Sequence, residues 1–319
     1  MAGVGGAAVP GRLSLAGTEA RPTKLFSHKR FINHDTIISI NRMNNLFLYL
    51  TLIAYFGATG LWLLYFLAQR QGYYRAGAWV MAGGLACHTL ALIQRAWAAG
   101  ALPAATFGET LLLFAWALVA AFLVLIWRYP IKILGTLVAP LAALMVSGAL
   151  ILPARPEAVS PLLKGFWLTV HISLTLTGYA ALALAGLGGI LYLIQERQIK
   201  SKRFGFFHRR LPSLSQLDNL NYWCLTTGFP LLTGGIISGS LYAQHTLGRF
   251  WSWDPKEILT LIAWLIYAVL LHERLTVGWR GRRAALLAIC GFLVLVVTFV
   301  GANLWLTGYH SFSSFIQTP

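Results

Sequence analysis

Residues 166–194 read FWLTVHISLTLTGYAALALAGLGGILYLI, a run without one charged side chain. A helix at a water interface needs a polar face, whereas this stretch offers only scattered hydroxyls and one imidazole, so it belongs inside hydrocarbon. A layer of about 30 Å is crossed by roughly 20 helical residues, and a helix keeps its backbone polar groups paired there. Working outward from this run, the apolar stretches are Leu46–Ala68, Gly77–Ala98, Gly108–Trp127, Ile131–Ile151, Phe166–Ile194, Tyr222–Tyr242, Ile258–Leu271 and Ala284–Leu306. The pattern predicts an all-α, polytopic membrane protein with about eight transmembrane helices. Only 11% of the 319 residues are charged and 57% are hydrophobic, whereas a soluble domain carries about 25% charge. The seventh run is short for a span; the fifth is long enough for its far end to project beyond the membrane toward Arg197.

Residues 1–45 are Gly-rich at first (GVGGAAVPG) and then basic (KLFSHKRFINHD), without the pattern of a signal peptide. They read as a flexible or surface-lying tail ahead of a membrane helical domain at 46–319. The net charge of +16 is dispersed between apolar runs rather than gathered into one basic domain, which argues against nucleic acid. Cys87, Cys224 and Cys290 stand singly, with no CxxC pair for thiol exchange or zinc.

Charge orients the spans. The loops after the first, third, fifth and seventh runs carry fourteen Lys and Arg, including Arg197, Lys200, Arg209 and Arg210 after the fifth and Arg274, Arg280, Arg282 and Arg283 after the seventh. The opposite loops carry five: Arg95, Arg155, Lys164, Arg249 and Lys256. Because Lys and Arg collect on the cytoplasmic side, both termini and the loop around Trp251 are expected outside.

That loop, GRFWSWDPKE at 248–257, packs three aromatic residues and four charges ahead of an apolar helix. Asp254, Pro255 and Glu257 have the spacing of an N-cap, a first-turn proline and a capping box. Capping does not account for Trp251 and Trp253 bracketing one small residue beside Gly248 and Arg249. A flat apolar ligand with charged edges does.

FWSWDPKE (250–257) resembles the tryptophan-rich WWD signature of haem-handling proteins in cytochrome c maturation, shared by the CcsA/ResC, CcmC and CcmF families. The wider frame is most similar to CcsA/ResC, through GFPLLTGGIISG (228–239), WLIYAVLLHERLTVGWRGRRAA (264–285) and GANLWLTGYHSF (301–312). The resemblance covers roughly residues 91–312, with Leu247 standing where the family usually has Trp. His171, near the outer start of the fifth run, and His310, beyond the outer end of the eighth, are expected on the side of the Trp251 loop, and haem iron accepts axial imidazoles. The resemblance implies that these two are metal ligands, and that His272 is a transmembrane haem histidine linked to entry from the cytoplasmic side. His88, inside the second run, is an internal competitor for a ligand role. Arg249 and Lys256 are candidates for the haem propionates, with Gly248 and Asp254 shaping the loop.

The implied function is delivery of haem b within a cytochrome c synthase: haem is presented on the outer face for covalent attachment to the CxxCH segment of apocytochrome c, the chain serving as a subunit of a haem-lyase type complex. The expected partners are a ResB/CcsB-like membrane protein, apocytochrome c and thiol-reducing proteins, with no nucleic acid. The expected location is a bacterial inner membrane, with a thylakoid membrane as the alternative. Two other functions fit less of the pattern: a haem exporter or chaperone without a role in attachment, and a secondary transporter of an organic anion.

Overall fold

The computed structural model describes residues 34–129, 131–152, 165–202 and 205–301. Among them there is no strand. Eight helices run in order: α1 (His34–Ala68), α2 (Gln71–Ala99), α3 (Phe107–Arg128), α4 (Gly135–Ile151, entered through a 3₁₀ turn at Lys132–Leu134), α5 (Phe166–Lys200), α6 (Leu214–Leu247), α7 (Pro255–Thr276) and α8 (Arg282–Val296, continued by a π-helical turn at Val297–Gly301). All eight are long and apolar enough to cross a membrane, and the chain is a multi-pass membrane protein.

Several helices extend beyond the apolar runs into polar residues. α6 begins ahead of Tyr222 because the Ser213 side chain accepts from the Gln216 N–H while Gln216 Oε1 accepts from the Ser213 N–H, a capping box at 3.3 and 3.1 Å. α7 is not short: Lys256, Glu257, His272, Glu273 and Arg274 are all helical, giving 22 residues. α1 likewise begins at His34, ahead of Leu46.

α5 is the hub, packed against α3, α6 and α8, and its apolar window is the most buried of the eight at 72%. Small residues permit this. A β-carbon at Gly178 would stand 2.8 Å from the Leu232 backbone N on α6, and one at Gly189 would stand 2.9 Å from the Ala285 carbonyl on α8. In lipid, where apolar surface gains little by leaving the solvent, such close backbone approach supplies the dispersion contacts that hold helices together. α1, α2 and α4 form a second group around Trp62, whose ring meets Tyr65, Tyr74 and Phe122 edge-on.

The alternation of directions sorts the loops into two ends. At one lie the start of α5, the end of α6, the start of α7 and the end of α8. At the other, Arg210 donates to the Phe66 and Leu67 carbonyls at 2.7 and 2.8 Å, tying the α5–α6 connection to the terminus of α1.

Candidate functional site

His171 lies in the second turn of α5, half-buried. Its Nδ1 is 2.7 Å from the Gly235 carbonyl oxygen on α6. A carbonyl can only accept, so Nδ1 carries the proton and Nε2 holds the ring lone pair. This is the tautomer in which metal-binding imidazoles are commonly held, with the distal N–H fixed by a carbonyl. The imidazole reaches the α6 backbone because there is no side chain at Gly239, where a β-carbon would stand 2.6 Å from both Cε1 and Nδ1. Gly235 and Gly239 were present in the quoted sequence, and their four-residue spacing signals a close helix contact. That the contact is made by His171 could not be read from one segment alone.

α6 ends at Leu247, and Gly248 adopts the left-handed conformation (φ 68°) that terminates a helix. The loop that follows is bound by one carboxylate. Glu257 accepts from the Ser252 N–H at 2.9 Å and the Ser252 hydroxyl at 2.7 Å, and from the Asp254 N–H at 3.3 Å. Asp254, buried, caps α7 by accepting from the Lys256 N–H at 2.8 Å. Within this frame Trp253 sits at φ 58°, a region costly for a bulky side chain. It is 74% exposed and meets the half-buried Trp251 edge-on at 6.1 Å. Phe250 and Arg249 are exposed beside them, and Lys256 is half-buried in the first turn of α7. Glu257 therefore does more than complete the capping box, because it also holds Ser252 between the two tryptophans. Glu257→Ala should speed amide hydrogen exchange at Ser252 and Asp254 by about fivefold, the effect of losing a cap of about 1 kcal/mol. Unchanged exchange would show that other contacts hold the loop.

The fold thus gathers His171, Gly248, Arg249, Trp251, Trp253, Asp254 and Lys256 at one end of the bundle. The chain leaves the described residues at Gly301 at this same end, and His310 lies outside them. His272 belongs to the other end of α7, roughly 24 Å from Lys256 along the helix. It is exposed, on a stripe with Ile258, Ile262, Leu265 and Val269 that faces away from the bundle. One planar ligand cannot span both histidines. His88 joins neither group: it is fully buried in α2, its Nδ1 3.2 Å from the Tyr55 hydroxyl on α1. It ties one helix to the next. His208 is half-buried within the α5–α6 connection.

The cluster at the Trp251 end fits a haem-sized guest in kind: an imidazole with its lone pair set on Nε2, indole surface that is largely exposed at Trp253, and cations for carboxylate edges. Among the described residues no group of three His, Cys, Asp or Glu side chains is placed to hold a bare metal ion.

Comparison with known proteins gives consistent results. The family model described as "Cytochrome C assembly protein" matches residues 105–310. The "Cytochrome c biogenesis protein CcsA" of Synechococcus sp. (strain CC9902) is 35% identical over 252 residues, covering 71% of this chain and 83% of that protein. That of Guillardia theta is 36% identical over 249 residues, covering 72% and 83%. Among solved structures, "Cytochrome c Heme Lyase CcmF" superposes with a TM-score of 0.59 at 17% identity, over 82% of this chain and 51% of that one, a likeness of fold.

Proposed function

Because the chain belongs to the cytochrome c assembly protein family, we propose that it handles haem for cytochrome c biogenesis, holding it at the Trp251 end of the bundle for attachment to apocytochrome c. The observation that carries this reading is the His171 imidazole, its proton committed to the Gly235 carbonyl and its lone pair on Nε2, at the same end as the Trp251–Trp253 loop. In this reading His171 is one axial ligand and His310 the other, Trp251 and Trp253 lie against the macrocycle, and Arg249 and Lys256 take the propionates. Asp254 and Gly248 give the loop its shape. The bond-making belongs to the haem vinyl groups and the two thiols of a CxxCH segment; the chain supplies position. Its three cysteines stand apart, so thiol reduction falls to other proteins.

His272 provides a second, intramembrane position for haem b arriving from the cytoplasmic side. Its exposure on the outer stripe of α7 suits a ligand completed by a ResB/CcsB-like membrane partner. His88 has no part in either position. The setting is a bacterial inner membrane, with a thylakoid membrane as the alternative, and the Trp251 end faces outward in accordance with the charge of the loops.

Co-expression with a ResB/CcsB-like partner and a reporter apocytochrome tests the proposal through the stain for covalent haem. Wild type should label the reporter, and Trp251→Ala with Trp253→Ala should reduce labelling several-fold, since each stacked aromatic contributes about 1 kcal/mol. Full labelling by the double variant would remove the tryptophans from the mechanism, and purified protein without a Soret band from a haem-replete host would reject haem handling altogether.

A further inference from the structure

At the basic end of the bundle, a cavity of about 490 Å³ opens between the last turns of α5 and the start of α8, lined by Leu193, Glu196, Arg197, Lys200, Ser201 and Arg282. Three cations face one carboxylate. Glu196 is partnered by Lys200 at 2.7 Å and, more loosely, by Arg282 at 3.7 Å. That leaves a net positive site with the Arg197 guanidinium exposed at its rim. Below the charges the surface turns apolar. Ile194 on α5 is exposed one turn from Arg197, and Leu286 and Leu293 are exposed on the face of α8 that continues from Arg282. Cations at a mouth followed by an apolar track along two helices match an anion that carries hydrocarbon, not a soluble one.

We propose that this cavity binds the phosphodiester of an anionic phospholipid, its acyl chains lying along α5 and α8. The site is separate from the haem positions and independent of the haem reading. Arg197 and Arg282 clamp the phosphate, Lys200 supports it, and Glu196 keeps Lys200 and Arg282 in place by pairing with both. Zwitterionic lipid, whose phosphate is already neutralised by its own ammonium, is a weaker guest.

The test uses the full chain in nanodiscs of phosphatidylcholine containing a minor fraction of phosphatidylglycerol or cardiolipin, with bound lipid counted by native mass spectrometry after release. Wild type should retain one anionic lipid in preference to phosphatidylcholine, and Arg197→Gln with Arg282→Gln should lower its occupancy about tenfold. Lys202→Gln with Arg209→Gln, two exposed cations of the same end outside the cavity, should not. Arg197→Gln alone, which disturbs no bond of its side chain seen in the structure, should give a smaller loss in the same direction. Equal retention by cavity and control variants would overturn the proposal, as would displacement of the lipid by millimolar inorganic phosphate, which would assign the site to a free anion. Displacement by haem would assign it to haem entry.

Discussion

In the proposed reading, His171→Gly should remove the part of the Soret absorbance that belongs to haem at the Trp251 end, leaving that of haem at His272, and added imidazole should restore it. The vacated volume is that of one imidazole, and the Gly235 carbonyl that fixed the lost ring remains to accept from the free ligand. Gly239→Ala is the companion experiment, because it leaves His171 in the chain and disturbs only its placement. The new methyl group would stand 2.6 Å from Cε1 and Nδ1, well inside contact distance, so the ring must leave the α6 backbone and surrender its bond to Gly235. Loss of the group that orients a ligating histidine commonly costs about 10- to 100-fold in affinity. Haem retention should fall by that factor, and the spectrum should shift from the low-spin toward the high-spin form as the axial bond lengthens. A merely structural role for Gly239 would lower yield without changing the spectrum of the haem retained, and normal retention in both variants would remove His171 from the site.

The second large effect is expected at Arg274. Its guanidinium meets the Asp218 carboxylate in a two-pronged pair at 3.1 and 2.6 Å, donates to the Asp218 carbonyl at 3.0 Å and lies over the Tyr222 ring. The same carboxylate accepts from the Gly281 N–H at 2.8 Å. One ion pair thereby joins the start of α6, the end of α7 and the turn into α8. Both side chains are largely buried, at 6% and 12% exposure. Removing one partner strands the other charge, which costs about 3–5 kcal/mol. Arg274→Ala should therefore lower the thermal midpoint in detergent substantially, and should loosen any ligand on His272, two residues away on the same helix. The double variant Arg274→Leu, Asp218→Leu should recover much of the loss, because it leaves no buried charge unpaired. A loss below about 1 kcal/mol in the single variant would class the pair with exposed salt bridges.

The legible parts of the sequence were those where one segment carries its own signal. Uncharged runs of about 20 residues specify spanning helices because lipid leaves the backbone no other partner. Asp254, Pro255 and Glu257 announced the start of α7 because capping acts over three residues. The ends were harder. Lys256 and Arg274 lower the local hydropathy and make the seventh run look short, yet a capped helix continues through both of them.

The same distinction runs through the site. The sequence alone determined the fold class, the number of helices and the residue types of the Trp251 loop, all of which depend on neighbours along the chain. Tertiary structure decided which nitrogen of His171 carries the proton, which glycine admits its ring, and that His88 is a buried tie to Tyr55. It also revealed Asp218 as the partner of Arg274, 56 residues away. Hydropathy and capping act along the chain and over a turn or two of helix, whereas close packing and hydrogen bonding join segments far apart in sequence and form only when the helices meet.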